Sequence, residues 1–553
     1  PFSYICYDSK KIIMTTYKNY LKKSHLIILA FIFYYLFGLI IAGDYGISWD
    51  ENVRRIASQS NIKEIAIALG IENERLDSVL SIDDNFYAYA KPTGMVYGVL
   101  AGIIEEFFNY DNTREVFQMR HKLIFSFFFI SIIAFYFLAK NLFNGTNKAI
   151  FATLIYSLHP RIFAHSFFNP KDIIFLSTIP FILLAAFNFF KKQDSYNKIF
   201  LSISLGISIS TRIVGLYLPI LIITAYFIFK KFVQNGKPFK PIIHIVHSIQ
   251  ILLLSCLTSI IFIPYYWTNT IEKFIQNFLS AKNFGWSGNV YYLGEYIAAQ
   301  EISWHYIFTW FIITTPIVFL FLLIFALFRL FIDLGNTFCK NFYYFKYLFG
   351  IFIPIAAAIF FKSTLYDGWR HFFFIYAFIS ILISYGAFEL YRLIKLKNRI
   401  ALKTTFLLIC FFEPLYTIFS IHPHQQTYFN FFAGEDPMLN FEGDYYGTSY
   451  RQGLEYILEN DLSDEILISV ANSPGSLNRH ILYDTDKKRL VFEYMSKENF
   501  TPDYYITNFR DSVTDYIKAK NQEEPFQNEI YSIMIKNMKI LGIYKVFSSS
   551  EIN

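Results

Sequence analysis

Long apolar runs separated by short polar ones recur from His25 to Ile421. Runs of roughly 17 to 25 residues are what a helix needs to cross a bilayer. The pattern predicts eleven such spans, with cores at 25–42, 122–140, 147–160, 173–190, 199–211, 213–230, 242–263, 304–328, 347–361, 372–391 and 402–420. The third, fifth and ninth are short for a span. The expected fold is therefore an all-α polytopic membrane protein, with a small α/β domain after the last span.

Three stretches are too long to be plain connectors. Residues 43–121 form a long first outer loop, in which 61–80 reads as an amphipathic helix and Gly94 to Phe108 as an apolar one, both along the membrane surface. Residues 264–303 form a second, with Pro264-Tyr265-Tyr266-Trp267 and the turn-rich run Phe284-Gly285-Trp286-Ser287-Gly288-Asn289. The third is the tail, where β-rich runs at Ile466–Val470, Arg489–Tyr494 and Tyr504–Thr507 alternate with helical pattern at Ser449–Asn460 and Ser512–Lys520. The expected division is residues 1–24 as a cytoplasmic N-terminus, 25–421 as the membrane domain and 422–553 as the extracytoplasmic α/β domain.

Basic residues set the orientation, since short cytoplasmic loops retain them. Lys10, Lys11, Lys18, Lys22 and Lys23 precede the first span; Lys140 with Lys148, Lys191 with Lys192 and Lys198, Lys230 with Lys231 and Lys237, and Arg392 to Lys403 fall in alternate loops. That puts the N-terminus inside and the tail outside an integral membrane protein. The basic leader and Ala42-Gly43 resemble a signal peptide, but with ten spans following, an uncleaved anchor is the preferred reading.

Composition agrees with the pattern: 54% of the 553 residues are hydrophobic and 17% charged, with a mean hydropathy of +0.35. The formal charge of +6 hides a split, because residues 421–553 carry 12 Lys and Arg against 20 Asp and Glu. The basic excess belongs to the membrane part. Four cysteines, Cys6, Cys256, Cys339 and Cys410, imply neither a disulfide framework nor a cysteine metal site.

Candidate chemistry gathers at the outer boundary. Asp50 and Glu51 follow the first span within Gly46-Ile47-Ser48-Trp49-Asp50-Glu51, and an acid at a membrane helix end is a functional candidate by default. The bland alternative is a pair of solvated charges beside a Trp anchor. A second cluster runs from His159-Pro160-Arg161 through His165 to Asn169-Pro170-Lys171-Asp172. Snorkelling around a proline-bounded turn accounts for Arg161 and Lys171 better than for His165 and Asp172. A third is Lys362-Ser363-Thr364-Leu365-Tyr366-Asp367-Gly368-Trp369-Arg370-His371. Arg370 on the outer side opposes the usual charge bias and calls for an anionic partner; Arg212 raises the same question. His422 and His424 are weak metal-ligand candidates, and with Glu442 and Asp444 they either cap a cleft or stabilise the tail.

Fixed cations beside carboxylates suit phosphate-linked chemistry: arginine neutralises a phosphate leaving group, and a carboxylate takes the proton of an acceptor hydroxyl or amine. Outside the cytoplasm the activated donor would be a lipid phosphate. No phosphate-binding glycine loop, HExxH, GxSxG or paired CxxC offers a competing chemistry. The rival from another class is a polytopic transporter or flippase of a lipid-linked glycan, but transporters place ionisable groups near the bilayer midplane. A non-catalytic scaffold would leave the polar loops without a reason, and an O-antigen-ligase-like transferase would carry its large loop late in the chain.

An acidic pair after the first span, a second acidic loop after the third and an Arg-His pair before a late span resemble the GT-C glycosyltransferases of family 39. These are the dolichyl-phosphate-mannose-type protein mannosyltransferases and the bacterial aminoarabinose and lipopolysaccharide-core transferases. The runs His159 to Asp172, His422-Pro423-His424-Gln425 and Phe441 to Tyr450 resemble the bacterial branch. The resemblance implies an inverting hexosyl or pentosyl transferase in a bacterial inner membrane that uses a polyprenyl-phosphate-linked sugar donor. The acceptor would be a lipid, a glycan or a protein, with membrane lipid around the chain and no nucleic acid. Asp50 would be the general base and Asp172 the second-loop acid. Arg161, His165, Lys171, Arg370 and His371 would bind the donor phosphate, with Glu51, Arg212, His422, Glu442 and Asp444 in support. No cofactor is certain, and a divalent cation, Mg or Mn, stays an open option. The tail departs from the lumenal domain of the eukaryotic protein mannosyltransferases, which counts against a protein acceptor.

Overall fold

The computed structural model describes residues 24–72, 90–233, 239–282, 286–332, 338–393, 400–493 and 501–546. The first half of the chain runs α1 (Ser24–Asp44), α2 (Trp49–Leu69), α3 (Met95–Phe107), α4 (Thr113–Phe143), α5 (Thr146–Ser157), α6 (Pro160–Phe168), α7 (Asp172–Lys191), α8 (Ser195–Thr211), α9 (Ile213–Phe232) and α10 (Pro241–Ile261). Then come α11 (Thr270–Lys282), the hairpin β1 (Asn289–Tyr292) and β2 (Glu295–Ala298), α12 (Tyr306–Thr314), α13 (Ile317–Ile332), α14 (Phe338–Phe360), α15 (Arg370–Leu393) and α16 (Ala401–Ser420).

Among the described residues seven helices are long and apolar enough to cross a membrane: α1, α4, α7, α9, α10, α15 and α16. The chain is thus a helical polytopic membrane protein, and the expected eleven spans do not all reach that length. Proline explains two of the breaks. His159 is extended before Pro160, which ends α5 at Ser157 and starts α6 afresh; Thr315 is likewise extended before Pro316, which splits the predicted 304–328 span into α12 and α13. The centre of the bundle is α7, buried along most of its length and packed on α4 and α8 and on the first turns of α15. Close approach of α8 and α10 depends on Gly206, where a Cβ would lie 2.6 Å from the Ser255 carbonyl oxygen.

The tail holds α17 (Tyr450–Asn460), β3 (Ile466–Val470), β4 (Leu490–Phe492), β5 (Tyr504–Thr507), α18 (Val513–Asn521), β6 (Glu529–Ile535) and β7 (Met538–Lys545). Its sheet has the order β4-β3-β5-β7-β6, parallel across β4, β3 and β5 and antiparallel across β5, β7 and β6. The β6-β7 hairpin escaped the sequence pattern. The helix expected at 61–80 instead starts at Trp49 and ends at Leu69, and residues 73–80 of that expectation lie outside the described residues. Ser48 explains the earlier start: its N–H donates to Glu51 Oε2 at 2.6 Å, half of the reciprocal S-x-x-E cap.

Candidate active site

Helix α2 carries Asp50 in its first turn and Arg54 one turn later, so both side chains leave the same face. The entry to that turn is fixed from several sides. Ser48 Oγ donates to the Phe168 carbonyl at 2.8 Å. Glu51, which is buried, meets His121 Nε2 at 2.8 Å. At Gly46 a Cβ would stand 2.2 Å from the Thr448 carbonyl oxygen, so only glycine lets the tail pack this closely behind the turn. Glu51 is accordingly a structural anchor beside Asp50.

Arg370, at the first turn of α15, joins three distant stretches of sequence. Its Nη1 donates to Asp50 Oδ2 and to Asp172 Oδ2, each at 3.0 Å. Its Nε and Nη2 reach Asp367 Oδ2 at 3.1 and 2.9 Å. The rings of Tyr366 and Tyr446 lie 4.9 and 5.2 Å from its guanidinium carbon. Asp172 opens α7; its other oxygen takes Arg212, and Asn169 both caps its backbone N–H (2.9 Å) and donates to Oδ2 (3.2 Å). Arg370 and Asp172 are 3% and 1% exposed, whereas Asp50 is 21% exposed. Asp50, which also accepts from Tyr446 Oη at 3.2 Å, is thus the carboxylate that a second reactant can reach from outside.

The cations outnumber the acids that neutralise them. Arg54 donates to Thr93 Oγ1 at 2.6 Å and to the carbonyls of Ala90 and Thr93, and among the described residues it has no carboxylate partner. Lys171, just before α7, pairs with no acid there either. Burial, and then repulsion from Arg54 and Arg212, holds its ammonium well below the ordinary lysine pKa. An anion seated beside Arg54, Lys171 and Arg212 would relieve both penalties.

Not every expected residue joins this cluster. Arg161 lies behind it, sealed between the rings of Phe429 (4.6 Å), Trp310 (5.3 Å) and Tyr445 (5.9 Å), with Nε on the Tyr428 carbonyl at 2.9 Å. It is 1% exposed and stands apart from the Asp50, Asp172 and Arg370 bonds. His165 is also buried; Asn169 Nδ2 donates to its Nδ1 at 3.1 Å and its Nε2 faces Tyr445 Oη at 3.0 Å. Burial and the nearby Arg161 push its pKa well below the ordinary value, so the ring is neutral and braces Asn169 instead of carrying charge. His371 stays at the cluster, its ring against the edge of Tyr366 at 4.7 Å. His422 faces outward to Asp44 at 2.9 Å, and His424 is turned to Gln452 at 2.8 Å. Asp444 caps its own loop, accepting from the Gly447 and Ser449 N–H groups at 3.1 and 2.8 Å.

The sequence offers no signal for Arg54 or Arg510 as site residues, and it shows Asp367 and Tyr446 only as members of polar runs. Arg54 becomes legible once α2 is started at Ser48. Arg510 carries no local signal: it belongs to the tail loop between β5 and α18, yet its Nη2 donates to Asp367 Oδ1 at 2.8 Å. Glu442 is buried near Arg510 and Asp367; burial raises its pKa to about 8, with Arg510 opposing and Asp367 adding to the rise. Among the described residues no group of three or more His, Cys, Asp or Glu could hold a metal ion. The acids of this site are engaged by arginine instead.

Residues 122–262 match the family model of the dolichyl-phosphate-mannose-protein mannosyltransferases. This stretch includes Arg161, Asp172 and Arg212, and the match bears out the resemblance drawn from its motifs. ArnT of Cupriavidus metallidurans, solved with undecaprenyl phosphate bound, is similar over 93% of this chain and 97% of its own, at 11% identity and a TM-score of 0.42. The archaeal oligosaccharyltransferase AglB of Archaeoglobus fulgidus, solved with an inhibitory peptide and a dolichol-phosphate, is similar over 77% of this chain and 62% of its own, at 12% identity and a TM-score of 0.37. No curated protein matches the chain in sequence.

Proposed function

We propose that the chain is a membrane glycosyltransferase that moves a sugar from a polyprenyl-phosphate carrier to an acceptor on the non-cytoplasmic face of the membrane. The observation that carries this reading is the Arg370 guanidinium bonded at once to Asp50 and Asp172, beside Arg54 and Lys171, which among the described residues have no acid of their own. The family named by the match at 122–262 supports a lipid-phosphate sugar donor.

In this mechanism the donor phosphate sits among Arg54, Lys171, Arg212 and Arg370. It competes for the Arg370 donors that now hold Asp50, and Asp50 is thereby released to accept the proton of an acceptor hydroxyl or amine. The acceptor oxygen or nitrogen attacks the anomeric carbon from the face opposite the phosphate. The carbon–phosphate-oxygen bond breaks, its electron pair stays on the carrier phosphate, and the cations stabilise the charge that develops there. The sugar leaves with inverted configuration. Asp172 keeps Arg212 and Arg370 in place throughout. In the accompanying topology residues 25–421 make the membrane domain, 422–553 the outer domain, and the N-terminus faces the cytosol.

A cleft of about 380 Å³, walled by Gln300 to Trp304 and by Ile359, Lys362, Ser363 and Leu365, opens next to the segment that carries Tyr366 and Arg370. Its mixed polar and apolar walls fit the approach of an amphipathic acceptor. The reading is tested by offering the purified protein a panel of polyprenyl-phosphate sugars and an envelope lipid extract. Release of polyprenyl phosphate with one sugar of the panel is expected; release with none, in the presence of acceptor, would refute the proposal.

A further inference from the structure

Arg510 lies in a tail loop remote in sequence from every group that the proposed chemistry uses, and it is nearly buried against two of the segments that carry them. Its guanidinium donates to Asp367 at 2.8 Å, three residues before Arg370. The same guanidinium lies 5.2 Å from the ring of Trp49, the residue before Asp50. One planar cation therefore touches both neighbours of the key pair. An arginine can do this because its fork bonds a carboxylate in plane while its face stacks on a ring.

The loop is built to aim it. Phe509, buried and bulky, has φ +58°, a left-handed conformation that such a residue rarely adopts. Its N–H is tied to Thr507 Oγ1 at 3.0 Å, and Asn508 Nδ2 is tied to the Asp444 carbonyl at 2.9 Å. A residue held in a sparsely populated backbone region by its surroundings marks a place where orientation matters.

We infer that Arg510 is a positioning residue supplied by the tail, which clamps the Trp49-Asp50 turn against the Asp367-Arg370 turn and so sets the spacing of the base and the phosphate-binding arginine. The clamp is read from contacts alone, while its bearing on turnover rests on the transferase reading. The tail is thus part of the active site and not only a cover for it.

Hydrogen exchange on the full-length protein in lipid nanodiscs tests the clamp without any turnover. In Arg510→Gln the amides of 46–52 and of 366–371 should both exchange about tenfold faster than in the parent while β7 keeps its protection, since both segments lose the same tether. Arg510→Lys keeps a cation for Asp367 but not the planar face for Trp49, so it should restore 366–371 and leave 46–52 fast. Exchange changes confined to 508–512, or restoration of both segments by lysine, would overturn the inference. Should Arg510→Gln fail to fold, the lysine variant alone decides by that split.

In the transfer assay Arg510→Gln should lower kcat about tenfold with little change in acceptor KM, the mark of misplaced groups in place of lost binding. An unchanged kcat despite faster exchange would also count against the positioning role. If the parent protein transfers no sugar while the exchange pattern holds, it is the transferase reading that fails and the clamp that stands.

Discussion

Asp50 and Arg54, one helical turn apart on α2, divide the work that the site has to do. Asp50 is the most open of the carboxylates bonded to Arg370, while Arg54 has no acid to neutralise it among the described residues. Lys171 completes that region, and its depressed pKa comes from burial beside two guanidinium groups. Replacing Arg54 by Gln or Lys171 by Met should each raise the KM for the lipid donor about tenfold, the loss expected when one charged hydrogen bond to phosphate is removed. The acceptor KM should stay within about twofold. Steady-state kinetics with each substrate varied in turn would check this, and equal losses on both sides would argue against phosphate recognition.

Glu442 makes a prediction of a different kind at the same scale. Its carboxyl keeps a proton to about pH 8 in the fold, against an ordinary value of 4.5. Between those limits the unfolded chain has released a proton that the folded chain still holds, so stability should fall as pH rises from about 5 to 8, by at most about 1.4 kcal/mol per unit. Glu442→Gln cannot titrate and should flatten that slope, raising the melting temperature at pH 8 relative to the parent. Parallel melting curves for the two proteins across this range would speak against a buried, protonated Glu442.

At the level of elements, the position of Asp50 depends on how α2 begins. Glu51 is bonded to the Ser48 N–H and to His121 in a buried setting, so Glu51→Ala should cost about 2 kcal/mol, the price of leaving charged hydrogen-bond partners unmet. Transfer should fall with it because the helix start carries the base. Thermal denaturation of the purified variant beside the transfer assay tests both halves. Much of this element-level organisation was legible in the sequence: the apolar runs located the long helices, and the tail's β runs at 466–470 and 504–507 emerged as strands. The start of α2 was missed because Ser48-Trp49-Asp50-Glu51 was read for its charges and not as a cap. The pattern does not show α6 as a helix, because a nine-residue buried helix between two prolines has neither the length nor the polarity contrast that periodicity detects. The phosphate role expected of Arg161 follows from the family resemblance, not from the local pattern. Nothing local announces that an arginine will be enclosed by aromatic rings from residues 310, 429 and 445.

Over the whole molecule, the site exists only through long-range assembly. Asp50 stands 320 residues before its Arg370 partner, Asp172 stands 198 before it, and the tail returns to reach Asp367 through Arg510. Clustering of acids and cations at the membrane boundary could be inferred from the sequence, since their positions relative to the spans follow from counting. Which of them meet could not, because that depends on the packing of α2, α7 and α15 and on a tail loop with no motif.

The central claim is that Asp50 takes the acceptor proton while the cations around Arg370 hold the lipid phosphate. It is tested most directly by comparing Asp50→Asn with the parent for both donor binding and sugar transfer, using the donor identified by the panel. Asp50→Asn should bind the donor within a few-fold of the parent and transfer at least about a hundredfold more slowly, since general-base catalysis contributes roughly 10²–10⁴-fold. Transfer by Asp50→Asn at the parental rate would contradict the account.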